Sequence, residues 1–268
     1  MKSKRLIVVS LDALSSIDFD MFSKLPNFKK FIRHAACCRQ VRSVYPSLTY
    51  PAHTSIVTGR TPAHHGIVNN ILLQPERSSP DWYWQRNYIR GTTLYDEVLK
   101  QGKHVAALLW PVTAKSEITW NLPEIFANRR WTNQILTSAA NGTVGYQLML
   151  NHRFGRLRDG IRQPALDNFV HASLKYTLKT YRPDLTLVHF TDLDTQRHHY
   201  GVHSEEAAAA IKRHDERIGE LMHLLHQNRM SVKRDTTVII LGDHSQLDVR
   251  NVILINKLLR EQGYLKVQ

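Results

Sequence analysis

Four short apolar runs punctuate the chain, at residues 6–11 (LIVVSL), 105–110 (VAALLW), 185–190 (LTLVHF) and 237–241 (TVIIL). Each is too short for a helix, rich in branched residues and mostly continuous instead of alternating, so each is read as a strand buried on both faces. Helical patterns lie between them. Residues 94–101 stop at Gly102, residues 168–180 stop before Pro183, and residues 204–228 open with a capping serine and two glutamates. In the last of these, Ile211, Ile218, Leu221, Met222 and Leu225 share one face. The alternation predicts an α/β fold, a mostly parallel sheet flanked by helices. A stretch at about 111–164 breaks the rhythm with Trp120, Trp131 and the Asn141-Gly142 pair. It is read as an insertion that caps a site within a single domain spanning 1–268, because no repeat, low-complexity tract or interdomain linker is visible.

Composition narrows the class. With 42% hydrophobic and 22% charged residues the chain carries a sizeable core, which excludes wholesale disorder. No apolar stretch approaches the roughly 18 to 20 residues of a membrane span. The opening MKSKRLIVVSLDAL has a basic start and an apolar run, but Asp12 interrupts that run and no small-residue cleavage site follows, so it is read as a strand and not a secretory signal. Cys37 and Cys38 are adjacent, which suits neither a structural disulfide nor a zinc-ligand spacing. They are read as reduced packing residues in a cytoplasmic protein. The formal charge of +13 is compatible with nucleic acid, an anionic membrane surface or an anionic small substrate. Lys and Arg are scattered and no base-reading motif is present, so binding to a nucleic-acid polymer is not expected.

Ligands of an open parallel sheet bind beyond the carboxyl ends of its strands, so the residues after each run matter most. Asp12 follows the first run, Asp192, Asp194 and His198 follow the third, and Asp243 and His244 follow the last. Singly, each reads as a cap, a turn former or a surface group. Carboxylates at three strand ends, two of them accompanied by histidine, read instead as a metal cluster. Mixed Asp and His ligands suit zinc or another divalent transition metal, and the set is large enough for two ions. Asp194 and His198, four apart, would share one face of a helical turn. In the segment VYPSLTYPAHTSIVTGRTPAHHGIVNN, Thr49 precedes Pro51, and the residues to Thr58 read as a short helix closed by Gly59. Thr49 would sit where a helix N-terminus favours an anion. It also reads as a simple cap, and Ser47 is a rival nucleophile.

These motifs, VVSLDAL, YPSLTYPAHTSIVTGRTPAHHGIVNN, DLDTQRHHYG and LGDHSQ, resemble in order and content the nucleotide pyrophosphatase/phosphodiesterase family of the alkaline phosphatase superfamily. The resemblance runs through residues 6–70, more weakly through TLYDEVLKQGKHVAALLWPVT, and again through 185–247. It implies an alkaline-phosphatase-like fold and a metal-dependent hydrolase of phosphodiester or pyrophosphate bonds working through a phosphothreonine intermediate. Thr49 would be the nucleophile. One divalent ion would be held by Asp12, Thr49, Asp243 and His244, a second by Asp194 and His198, both ions zinc. Asn70 matches the family asparagine that contacts the phosphate, and a backbone N–H near Tyr50 would share that task.

The chain departs from the family pattern in three places. Arg197 stands before His198 where glycine is usual, and Asp-His-Gly becomes Asp243-His244-Ser245. The family supplies a further metal ligand from a histidine well beyond the Asp-His pair, whereas this chain stops at Gln268. Either the chain is shortened at its C-terminus or another residue completes the site. His53, His64, His65, His199 and His203 are read as structural or surface residues. An alternative reading is a truncated or degenerate member that binds metal or anion without turnover. A sulfatase is disfavoured because the Cys-or-Ser-x-Pro-x-Arg core is missing around Thr49. Tyr50, Trp82, Tyr83 and Trp84 could stack on a substrate base but read more simply as core or surface.

Overall fold

The computed structural model describes residues 4–228, 230, 232 and 235–266. Five strands, β1 (Arg5–Leu11), β2 (Val105–Leu108), β3 (Trp120–Leu122), β4 (Leu185–Phe190) and β5 (Thr236–Leu241), form one parallel sheet in the order β3-β2-β4-β1-β5. The helices are α1 (Phe19–Phe22), α2 (Pro26–Ile32), α3 (Thr49–Thr58), α4 (Pro62–His65), α5 (Leu94–Lys100) and α6 (Gln134–Ala139). They continue with α7 (Val144–Phe154), α8 (Ala165–Thr180), α9 (Asp192–Tyr200), α10 (Glu205–Gln227) and α11 (Ile255–Glu261). The expected α/β architecture is present.

Side chains of β1 alternate between two cores, as the period of two requires. Ile7, Val9 and Leu11 pack with Phe28 of α2, Leu150 of α7, Leu174 of α8 and Ile218 of α10, whereas Val8 packs with Val57 of α3 and Tyr95 of α5. Burying one such aliphatic side chain contributes about 1.5–3 kcal/mol. The helix ends follow from local chemistry. Ser204 accepts the Ala207 N–H at the start of α10, Thr93 and Asp96 cap α5 reciprocally, and Gly59 ends α3 in the left-handed conformation at φ 64°.

Four details differ from the sequence expectation. β2 stops at Leu108 because Leu109 turns the chain at φ 52°, and Trp110 folds into the core instead of extending the strand. β5 is not buried on both faces: it pairs only with β1 among the described residues, and Ile239 is 41% exposed. β3 was unannounced, because three residues carry no readable period. It lies in the 111–164 stretch, which also supplies α7, whose Tyr146 and Leu150 join the core. Cys37 and Cys38, expected as packing residues, are exposed instead: their loop lies outside the core clusters. No described helix is long and apolar enough to cross a membrane.

Candidate active site

The strand order explains why distant residues meet. β1 lies between β4 and β5, with Leu11 opposite Phe190 and Ser10 opposite Leu241, so the next residues of all three strands emerge side by side. Asp12 leaves β1, α9 begins two residues after β4 and carries Asp194 and His198, and Asp243-His244 follows β5. Ligand atoms of Asp12, Asp194 and His244 all lie within 4.8 Å of one another. His244 Nε2 is 3.3 Å from Asp12 Oδ1 and 3.5 Å from Asp243 Oδ2. His198 Nε2 approaches Asp194 Oδ1 at 3.4 Å from one turn later in α9, with its own side chain 67% exposed.

Thr49 is the first residue of α3, after an extended Leu48, and its Oγ1 lies 3.2 Å from His244 Nε2. That places the hydroxyl at the ligand cluster. Ser47, the rival nucleophile, is exposed and makes no such contact among those observed. Asn70 Oδ1 accepts the Tyr50 N–H at 2.9 Å. The Tyr50 N–H, expected to help hold a phosphate oxygen, is thus bonded to Asn70 here, which turns the Asn70 side chain toward it.

The donor set fits a divalent cation. Asp12 Oδ1 and Asp243 Oδ2 are buried acceptors without hydrogen-bond partners, an arrangement that is costly unless a cation completes it. Burial, reinforced by the Asp243 and Asp194 carboxylates, pushes Asp12 up to about 8. Burial opposes the charged form of His244, but Asp243, Asp12 and Asp194 outweigh it and raise that imidazole. Asp12, Asp194 and His244 could hold a metal ion, with Asp243 and the Thr49 hydroxyl beside His244.

Three residues behind the cluster escaped the sequence reading in this role. His53 is fully buried, donates from Nδ1 to the Thr49 carbonyl at 2.7 Å, and has Nε2 2.9 Å from Ser10 Oγ. Burial lowers it to about 3, so it is neutral. His189 Nε2 is 3.0 Å from Asp12 Oδ2, and its Nδ1 faces the Leu109 carbonyl at 3.2 Å and Glu124 Oε2 at 3.4 Å. Burial works against a charged His189, yet its hydrogen bonds to Asp12 and Glu124 prevail and hold it well above the ordinary value. Such partners orient the carboxylates that face a metal. His53 was findable, since it sits one helical turn after Thr49 on α3. Glu124, just past a three-residue strand, gave no signal.

The other histidines and the aromatics divide by burial. His65 is buried and contacts Ser55 Oγ at 2.9 Å, tying α4 to α3, while His64, His199 and His203 are exposed. Tyr50 and Trp84 belong to an aromatic cluster with Ile67, Ile89 and Val112. Trp82 packs edge-on against Tyr50 with ring centres 5.3 Å apart. Half-buried Tyr83 donates its N–H to the Asn70 carbonyl at 2.9 Å, which sets it beside the site.

Comparison with known proteins gives consistent matches. The profile of the type I phosphodiesterase / nucleotide pyrophosphatase family matches residues 6–268. Human ectonucleotide pyrophosphatase/phosphodiesterase family member 1 is 26% identical over 256 residues, covering 91% of this chain and 24% of that protein. A venom phosphodiesterase of Macrovipera lebetinus is 25% identical over 251 residues, 89% of this chain and 25% of its own length. Among solved structures, phosphonoacetate hydrolase from Sinorhizobium meliloti in complex with phosphonoformate superposes with a TM-score of 0.67 at 23% identity, covering 97% of this chain and 62% of that one. Murine ectonucleotide pyrophosphatase/phosphodiesterase 5, an inactive form in complex with AMP, superposes with a TM-score of 0.62 at 19% identity, covering 91% and 57%. The chain thus spans about a quarter of the length of these curated relatives.

Proposed function

The chain belongs to the type I phosphodiesterase / nucleotide pyrophosphatase family, and from that premise we propose that it hydrolyses phosphodiester or pyrophosphate bonds through a phosphothreonine intermediate. The observation that carries the reading is the meeting of Asp12, Asp194 and His244 within 4.8 Å, with the Thr49 hydroxyl 3.2 Å from His244. Two divalent ions, zinc by the mixed carboxylate and imidazole donors, would be held by Asp12, Thr49, Asp243 and His244 and by Asp194 and His198. When bound they supply Lewis-acid activation and charge neutralisation at phosphorus.

The chain's own residues define the rest. Thr49 Oγ1 attacks phosphorus and releases its proton to solvent, its O–P bond forms as the bond to the leaving oxygen breaks, and the leaving group takes up a proton from solvent. Water then cleaves the phosphothreonine ester and restores the hydroxyl. The Asn70 amide, fixed by its bond from the Tyr50 N–H, donates to a nonbridging oxygen as charge develops there. Neutral His53 locks the first turn of α3 by donating to the Thr49 carbonyl. Tyr83 offers an aromatic surface beside Asn70 for the alcohol or nucleoside portion of the substrate. A net charge of +13 steers anionic esters inward.

Hydrolysis of a chromogenic phosphodiester and its matching monoester by zinc-loaded protein tests the proposal. Turnover should vanish in Thr49→Ala and after EDTA. Stoichiometric zinc without turnover on either ester would favour the second reading, a member that binds metal or anion only.

A further inference from the structure

The residue that breaks the family's motif has a specific place. Arg197 is buried on α9, three residues after Asp194. Its guanidinium donates to the Ala13 carbonyl at 2.5 Å, to Asp18 Oδ1, and to the Val202 carbonyl at 3.3 Å. Asp18 in turn accepts the Ser15 N–H through Oδ2 at 3.0 Å. Arg197 therefore grips both ends of the loop that follows Asp12.

That loop needs gripping. Leu14 N–H bonds back to the Leu11 carbonyl at 3.0 Å, making a tight turn, and Ala13 occupies its third position at φ 62°. A turn with positive φ there favours glycine, and an alanine is held against a conformational cost. Both poles of the Ala13 residue are occupied: its N–H donates to Asp243 Oδ1 at 3.1 Å, and its carbonyl accepts from Arg197. Ser15 Oγ also meets Ser245 Oγ at 2.9 Å. One residue thus links α9, which carries Asp194 and His198, to the β1 and β5 exits, which carry Asp12, Asp243 and His244.

We infer that Arg197 is a positioning residue: it holds Ala13 left-handed and so fixes Asp12 and Asp243 relative to Asp194. The inference rests on the metal-site reading above for its functional consequence. The planar fork of arginine presents separate nitrogens in fixed geometry to Ala13 and Asp18, which the single nitrogen of a lysine does not reproduce.

The test compares wild type, Arg197→Lys, the double variant Arg197→Met/Asp18→Asn, which leaves no buried carboxylate unpaired, and that double variant with Ala13→Gly added. Two measurements are made on each: amide hydrogen exchange of Ala13 against Val9 in metal-free protein, and zinc affinity by competition with a chromogenic chelator. Loss of the brace should cut Ala13 protection at least about tenfold relative to Val9 and weaken zinc about 10- to 100-fold, the usual range for partners behind a metal ligand. Arg197→Lys should fall between, and Ala13→Gly should recover part of the zinc affinity because glycine adopts this φ unaided. Wild-type Ala13 protection and zinc affinity in the double variant and in Arg197→Lys, with only a lower unfolding temperature, would overturn the inference. Wild type that binds no zinc would instead defeat the metal reading, and Ala13 exchange would then decide the brace alone.

Discussion

At the β4 exit the candidate ligands grow out of the core, whereas at the β5 exit they ride on the border of the sheet. Asp167 of α8 accepts the N–H groups of Thr191 and Asp192, each at 3.1 Å, and Arg213 of α10 holds Asp192 at 2.7 Å. Asp194 follows from a helix start clamped by two buried helices. Asp243 has lighter backing, from buried His53 of α3, whose Nδ1 lies 3.5 Å from Asp243 Oδ2. Its hydrogen bonds come from loops: the Ala13 N–H donates to its carboxylate and Ser43 Oγ to its carbonyl at 2.7 Å. The same kind of ligand is placed mainly by buried helices on one side and mainly by loop hydrogen bonds on the other. Damage to the core should therefore lower stability first, and damage to the loops should disturb the site first.

The sharpest break is Leu187→Ala on β4, where Leu187 is 1% exposed. It should destabilise the protein by about 2–5 kcal/mol in urea unfolding, by lost transfer energy and a residual cavity. Asp12→Asn probes the charge the two sides share. In EDTA, wild-type Asp12 gains affinity for its proton on folding, because burial and the Asp243 and Asp194 carboxylates raise it to about 8 from 3.8. Its contribution is complete below about pH 4 and is lost as pH rises toward about 8. The variant should therefore become progressively more stable than wild type across that window, by up to about 1.4 kcal/mol per pH unit. Urea titrations at about pH 6 and about pH 8 would detect it; a constant gap would refute the assignment. Gly242→Ala strikes the loop side: a Cβ at Gly242 would overlap the Leu14 carbonyl. It should cost about 1–3 kcal/mol and weaken zinc binding out of proportion to the change in unfolding midpoint. Ile239→Ala on β5 should cost less than about 1 kcal/mol, since the side chain is already partly in water. A cost like that of Leu187→Ala would mean β5 is as well packed as β4.

The same contrast governs what could be read from sequence. β1 and β4 were legible because strands covered on both faces leave unbroken apolar runs, and α3 because Pro51 and Gly59 mark its two ends. Asp12, Asp194, Asp243 and His244 were legible because strand ends are where such ligands collect. His189 was hidden inside LTLVHF, where one polar residue in a buried strand looks like noise until the partner Asp12 is known. Glu124 and β3 lie where no period builds up. Arg197 was visible as a departure, but its meaning depends on Ala13 and Asp18, some 180 residues away in the chain. The limit is one of distance: local patterns report local structure, and polar pairs across the sheet do not announce themselves.

Among the described residues β5 pairs with β1 alone, which has a consequence for handling the protein. A border strand presents a row of backbone donors and acceptors to anything extended that drifts by, and here Ile239 makes that border oily as well. Concentrated solutions should self-associate strand to strand while every chain is still folded, giving light scattering that rises with concentration well below the unfolding temperature. A single Ile239→Lys substitution, placing a charge on the flank, should delay that turbidity.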